Sequence, residues 1–61
     1  MENQFAVNQI VKGKVAGFFV VLGYRILNGR RLVQVKCYDP KTGLTSPGEM
    51  AFDEASLTEV V

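Results

Sequence analysis

"VAGFFVVLGYRIL", residues 15–27, is the stretch that decides the fold. Val, Ile, Phe and Tyr dominate it, which is typical of a β-strand, and two glycines interrupt it. Successive side chains of a strand point to opposite faces of the sheet. One alternating set is Phe18, Val20, Leu22, Tyr24 and Ile26, and the other is Phe19, Val21, Gly23, Arg25 and Leu27. Both sets are largely apolar, so the stretch predicts a strand that needs cover on both faces.

The second apolar row has two explanations. A bulge near Gly17 or Gly23 would switch the faces, and the N-terminal segment or the loop at Leu44 would then lie over the outside. Alternatively, the row faces outward and binds a protein partner or a second copy of the chain. A one-residue slip of the strand exchanges the two sets, so the choice of the outward set stays open. The outward apolar row is predicted to comprise Phe19, Val21 and Leu27.

Length and composition indicate one small globular domain over residues 1–61, with residues 1–4 expected to be disordered. A chain of 61 residues with 48% apolar composition forms one small core, and oligomerisation is a common support at this size. The single cysteine, Cys37, and the absence of histidine exclude an internal disulfide and a zinc site. The apolar run is too short to span a membrane. We therefore expect a cytoplasmic protein without metal or cofactor.

The dipeptide Asn28-Gly29 predicts a tight hairpin, because a type I′ turn needs positive φ at both central residues. The hairpin joins a strand over Phe18–Leu27 to one over Arg30–Tyr38. In the second strand the alternation predicts a core-facing set, which comprises Val33, Val35 and Cys37.

The remaining turn signals predict three further strands. Residues 39–43, "DPKTG", indicate a turn, and a short strand follows near residues 49–52. Asp53 is predicted to be the N-cap of a single helical turn, before a last strand over residues 57–61. At the front, residues 5–15 predict a strand whose core-facing residues are Val7, Val11 and Val15. The chain is therefore expected to be all-β, with five strands and one 3-10 turn before the last strand.

The opening "FAVNQIVKGKVAGFFVVLGYR" and the closing "MAFDEASLTEV" resemble SH3-like small β-barrels of the KOW and Tudor-like kind. The likeness covers nearly the whole chain and consists of core and turn positions. It implies a five-stranded SH3-like barrel, a fold that hosts unrelated binding functions. The matching positions are Phe5, Val7, Ile10, Val11, Gly17, Val21, Phe52 and Leu57.

Two other families share parts of the pattern. "IVKGKV" with "VQVKCYDPKTGL" resembles the oligonucleotide-binding domain repeated in a large ribosomal protein. "MAFDEASLTEV" resembles the C-terminal element of the plasmid-borne type II dihydrofolate reductase, which would imply an enzyme assembled at the centre of an oligomer. Met50 and Ala51 stand where that family has a glutamine and an isoleucine, so its chemistry does not carry over.

Basic residues give the second candidate function, nucleic-acid binding. All seven lie within residues 12–41, and tyrosines lie among them, which would suit phosphates and stacked bases. The formal net charge is only +1, so such binding requires local clustering against six carboxylates. The predicted nucleic-acid-binding residues are Lys12, Lys14, Arg30, Arg31, Lys36 and Tyr38.

Catalysis has little support in the sequence. No histidine is present as a base near neutral pH, and no pair of carboxylates has a spacing that forces the two together. Cys37 lies on the predicted core-facing set, which favours a buried apolar role over a reactive thiol. The sequence therefore predicts a non-enzymatic binding module for a protein partner or for self-association, with nucleic-acid binding as the alternative.

Overall fold

The computed structural model describes residues 4–60, and within them the chain forms one antiparallel five-stranded sheet. The expected disordered start falls mainly on residues 1–3, outside the described part of the chain. The sheet order is β4-β3-β2-β1-β5, and a 3-10 turn over Glu54–Ser56 precedes β5. The prediction of an all-β chain with five strands and one 3-10 turn is confirmed. The strands are β1 Ile10–Gly13, β2 Phe18–Leu27, β3 Arg30–Tyr38, β4 Thr45–Asp53 and β5 Leu57–Glu59.

The central hairpin forms as the sequence predicts. Asn28 and Gly29 have φ angles of 53° and 78°, the left-handed conformation that the turn requires. β2 and β3 then pair along their whole length, from Leu27 opposite Arg30 to Phe18 opposite Tyr38. This hairpin is the frame on which the other three strands assemble.

A β-bulge in β2 decides which residues face the core. The register of β2 against β3 shifts between Val21 and Gly23, so Leu22 is the extra residue. Before the bulge, Phe19 and Val21 are buried against the core. The expectation that these two residues belong to an outward row is therefore wrong, whereas Leu27 beyond the bulge is 52% exposed. Of the two positions considered for a bulge, near Gly17 or near Gly23, the structure has it beside Gly23.

The core is small and lies on one face of the curved sheet. The core-facing set predicted for β3 is confirmed, with Val33 and Val35 fully buried and Cys37 half-buried against them. Phe52 of β4 packs on the same cluster, and its ring centroid lies 5.2 Å from that of Phe19. The buried apolar residues are Phe5, Val11, Phe19, Val21, Val33, Val35 and Leu57.

The front of the chain differs from the predicted strand over residues 5–15. Only Ile10–Gly13 is a strand, and Val7 and Val15 are exposed instead of sharing the buried face of Val11. The reason is a turn before β1, where Asn8 has a φ of 71° and the N–H of Gln9 donates to the carbonyl of Ala6. The turn brings the N-terminal segment back over the core.

Phe5 closes that end of the core. Its ring is buried, and its N–H donates to the hydroxyl of Tyr24 at 3.0 Å. The Tyr24 hydroxyl donates in turn to Oε2 of Glu54 at 2.5 Å, and the same oxygen accepts from the N–H of Gln4 at 2.9 Å. Three separate parts of the chain, the N-terminal segment, β2 and the 3-10 turn, are thereby joined.

This network also changes two pKa values. Burial, together with the hydrogen bond to Glu54, raises the pKa of Tyr24 above its ordinary value. The hydrogen bond from Tyr24, with a second from the N–H of Gln4, holds the pKa of Glu54 below its ordinary value. The arrangement is therefore built for a neutral phenol and a charged carboxylate.

The C-terminal part follows the prediction with two corrections. β4 begins at Thr45 rather than near residue 49, and β5 ends at Glu59, since Val60 is not part of the strand; residue 61 of the predicted strand lies outside the described residues. Asp53 stands at the N-cap of the 3-10 turn in extended conformation but makes no side-chain capping hydrogen bond. Its carboxylate binds the guanidinium of Arg30 at 2.5 Å instead.

Candidate binding surface on the outer sheet face

The face of the sheet opposite the core carries a row of three side chains on three neighbouring strands. Lys12 of β1 is directly opposite Phe18 of β2, and Phe18 is directly opposite Tyr38 of β3. Phe18 lies on the opposite face from the buried Phe19, because side chains alternate along the strand. Directly opposed residues have Cβ atoms about 4.5–5.5 Å apart. The register thus places two aromatic residues at directly opposed positions on this face, with a lysine opposite one of them.

A second row lies one step along the same face. Val20 of β2 is opposite Ile10 of β1 on one side and Lys36 of β3 on the other, and Lys36 is opposite Glu49 of β4. The aliphatic pair and the second lysine adjoin the aromatic row. We call the set Lys12, Phe18, Val20, Lys36 and Tyr38 the outer patch.

All side chains of the outer patch are at least partly exposed. Phe18, Val20, Lys36 and Tyr38 are each half-buried, and Lys12 is exposed. The loop before β4 does not cover them, since Leu44 is itself 70% exposed. The outward residues Phe18 and Val20 of β2 therefore remain partly open to solvent.

The predicted basic residues fall into separate groups. Lys12, Lys36 and Tyr38 come together in the outer patch, whereas Arg30 and Arg31 lie at the hairpin end of β3. Six residues separate Lys36 from Arg30, which corresponds to about 20 Å along a strand. A single rim that joins all six predicted residues is therefore not formed.

Both hairpin arginines also have partners. Arg30 pairs with Asp53, and the guanidinium carbon of Arg31 lies 5.2 Å from the ring centroid of Tyr24, a cation–π contact. Lys14, the remaining predicted residue, is in the loop between β1 and β2 and donates its N–H to the carbonyl of Ser56. That bond involves the backbone of Lys14 and not its ammonium group, so the three predicted lysines are more available cations than the two hairpin arginines.

The outer patch carries a small positive charge. Lys12 is opposite Thr58 of β5, a neutral residue, while Lys36 has Glu49 as its cross-strand neighbour. Such exposed pairs contribute little, with a median near 0–1 kcal/mol, and are screened by salt. The patch can therefore offer two cations beside two aromatic faces to a flexible anionic ligand.

Sequence reasoning assigned Tyr38 to this surface but missed Phe18. The adjacent phenylalanines are indistinguishable by composition, and only the register of β2 decides that Phe19 enters the core and Phe18 faces outward. The sequence does contain a signal for this choice. Val33 and Val35 are predicted to face the core, and once the bulge in β2 is placed, the residues of β2 opposite them must face the core as well. The neighbours of Phe18 and Val20 on β1 could be identified only from the strand pairing in the structure.

No metal centre is formed within residues 4–60, where no three His, Cys, Asp or Glu side chains could hold an ion together. In the same part of the chain, no helix is long and apolar enough to cross a membrane. Comparison of the chain with protein-family models, curated proteins and solved structures gives no match.

Proposed function

We propose that the protein is a small non-enzymatic binding module whose outer patch binds single-stranded nucleic acid. The observation that supports this function is the cross-strand row of Lys12, Phe18 and Tyr38, with Lys36 in the next row. Stacking of a base on an aromatic side chain contributes about 1–3 kcal/mol and tolerates any sequence. Two neighbouring rings offer platforms for successive bases, and the lysines flank them where phosphates would lie.

The modest charge sets the expected strength of binding. Two phosphate contacts on a single strand give a slope of about −1.4 for the logarithm of the binding constant against the logarithm of salt concentration. Affinity should then fall about sevenfold between 50 and 200 mM salt. Stacking supplies the part of the affinity that salt does not remove.

The test is fluorescence anisotropy of a labelled twelve-nucleotide oligothymidylate at several salt concentrations. Tyr38→Ala should weaken binding by about 5- to 150-fold, the loss of one stacked base. Lys12→Gln should reduce the salt slope by about 0.7. Arg30→Gln is the matched control, because Arg30 is paired with Asp53 at the far end of β3. Equal loss in the Arg30 and Lys12 variants, or none in the Tyr38 variant, would refute the proposal.

Protein interaction, including self-association, is the second candidate, favoured by the outward aliphatic pair Ile10 and Val20 beside the aromatic row. A small core makes association a plausible source of added stability. Sedimentation velocity over a hundredfold concentration range, at low and high salt, separates the candidates. Apolar association persists at high salt and is abolished by Val20→Lys. A monomer at all concentrations removes self-association and leaves the nucleic-acid proposal intact.

We further propose that the five strands belong to an SH3-like small barrel of the KOW and Tudor-like kind, although within residues 4–60 the sheet is open, with β4 and β5 at its edges. A cytoplasmic location and the absence of catalysis belong to the same proposal. Dihydrofolate reductase activity in a proven oligomer would overturn the non-enzymatic part.

A further inference from the structure

A pocket of about 220 Å³ lies away from the outer patch, between the β1–β2 loop and the 3-10 turn. Its floor is apolar, with Leu57 and Phe19 buried beneath it. Nothing in the proposed nucleic-acid function uses this pocket. We call it the loop pocket, and its principal lining residues are Lys14, Val15, Ala16, Phe19, Phe52 and Leu57.

Backbone hydrogen bonds hold the walls of the loop pocket in place. The N–H of Gly13 donates to the carbonyl of Gly17 at 2.9 Å, and the N–H of Lys14 donates to Ser56 at 3.0 Å, so the loop is tied to itself and to the 3-10 turn. Space inside the loop is tight, because a Cβ at Gly13 would lie 2.5 Å from the carbonyl oxygen of Ala16. Preorganisation of this kind lowers the entropic cost of binding.

Size limits what the loop pocket can hold. Sites for drug-sized ligands and cofactors usually measure about 300–1,000 Å³, which is larger than this pocket. One aliphatic or aromatic side chain of a protein partner fits better, in the manner of an interface anchor surrounded by weaker contacts. Val15, fully exposed at 101% of its reference area, stands beside the opening as an apolar contact for such a partner.

The charged residues near the loop pocket indicate which charge the partner carries. Lys14 is the charged residue among those that line the pocket, whereas Glu54, close in sequence to Ser56, is engaged by Tyr24 and Gln4. The opening therefore favours carboxylates near the anchoring side chain. We propose that the loop pocket binds one leucine-sized side chain of a protein partner that carries an acidic residue close to it, within reach of Lys14.

Three synthetic peptides test the proposal by NMR titration of the full chain: acetyl-EELEE-amide, acetyl-EEAEE-amide and acetyl-KKLKK-amide. The leucine peptide with glutamates should shift the amide resonances of residues 13–17 and 56–57. The alanine peptide should bind at least tenfold more weakly, because it leaves the pocket empty. The lysine peptide should also bind more weakly, because Lys14 repels it. Equal binding of the leucine and alanine peptides would overturn the proposal.

Variants locate the binding to the pocket. Ala16→Phe, on an exposed loop position, should fill the pocket and abolish the shifts. Val15→Asp, at a side chain without burial to lose, should weaken binding of the acidic leucine peptide at least threefold and serves if the first variant fails to fold. Lys41→Glu is the control on the distant β3–β4 turn and should change nothing. Shifts confined to the outer patch, or a response of the loop pocket to oligothymidylate but not to peptide, would contradict the proposal.

Discussion

Tyr24→Phe is expected to destabilise the protein strongly for a change of one oxygen atom. The hydroxyl accepts from the N–H of Phe5 and donates to Glu54, so the substitution removes two hydrogen bonds and leaves the ring in place. Each such bond contributes about 0.5–1.5 kcal/mol net, and partial exposure of the site favours the lower half of the range. We expect a loss of about 1–2 kcal/mol.

That loss is a large part of the total free energy of unfolding. A domain of 61 residues has roughly 3–9 kcal/mol of unfolding free energy, so the variant should retain the fold with a clearly lower midpoint. The melting temperature should fall by roughly 5–15 °C. Urea unfolding followed by circular dichroism measures the change, and Phe5 should show faster amide exchange in the variant because its N–H loses its acceptor.

Tyr38→Phe provides the matched control. It makes the same chemical change on the outer face and should alter stability by less than about 0.5 kcal/mol, as surface substitutions usually do. If the two variants were equally stable, or if Tyr24→Phe cost less than about 0.3 kcal/mol, the hydroxyl of Tyr24 would not join the N-terminal segment to the 3-10 turn as described.

Three further predictions concern the same fold. Val21→Ala should cost about 2 kcal/mol in urea unfolding, since the side chain is fully buried, while Val20→Ala on the outer face should cost less than about half of that; equal costs would contradict the bulge. Folding lowers the pKa of Glu54, so the charged carboxylate stabilises the protein above the ordinary pKa, and this stabilisation is lost as the pH falls through the lower pKa of the folded state. Folding raises the pKa of Tyr24, so the neutral phenol stabilises the protein below the ordinary pKa, and this stabilisation is lost as the pH rises through the higher pKa of the folded state. Glu54→Gln should flatten the acid limb of a plot of urea midpoint against pH. Gly29→Ala should destabilise by about 1–2 kcal/mol through backbone strain alone, because space at the position is open and φ is positive.

Local signals in the sequence carried most of the strand assignment. Asn28-Gly29 fixes the hairpin through backbone conformation, and the clean alternation of Val33 and Val35 identifies the core face of β3 without any tertiary information. The 3-10 turn after Asp53 is also local. Each of these depends on neighbours within a few residues, which a sequence displays directly.

The predictions that were wrong, and the contacts that were not predicted, depend on pairing between residues far apart in the sequence. Phe18 and Phe19 are chemically identical neighbours, and their opposite fates follow from the register of β2 and the bulge at Leu22. The hydroxyl of Tyr24 meets Glu54 thirty residues away along the chain. Such contacts are decided by the pairing of segments that are distant along the chain, so a local sequence pattern cannot predict them.

The most direct test of the proposed binding surface is an NMR titration of the labelled protein with unlabelled twelve-nucleotide oligothymidylate at low salt. We expect the largest shifts on the amides of the outer patch, which are those of Lys12, Phe18, Val20, Lys36 and Tyr38. These shifts should diminish with added salt, and the amides of residues 28–31 at the hairpin turn should stay unchanged. Shifts centred on that turn, or no shifts at millimolar oligonucleotide, would contradict the proposed binding surface.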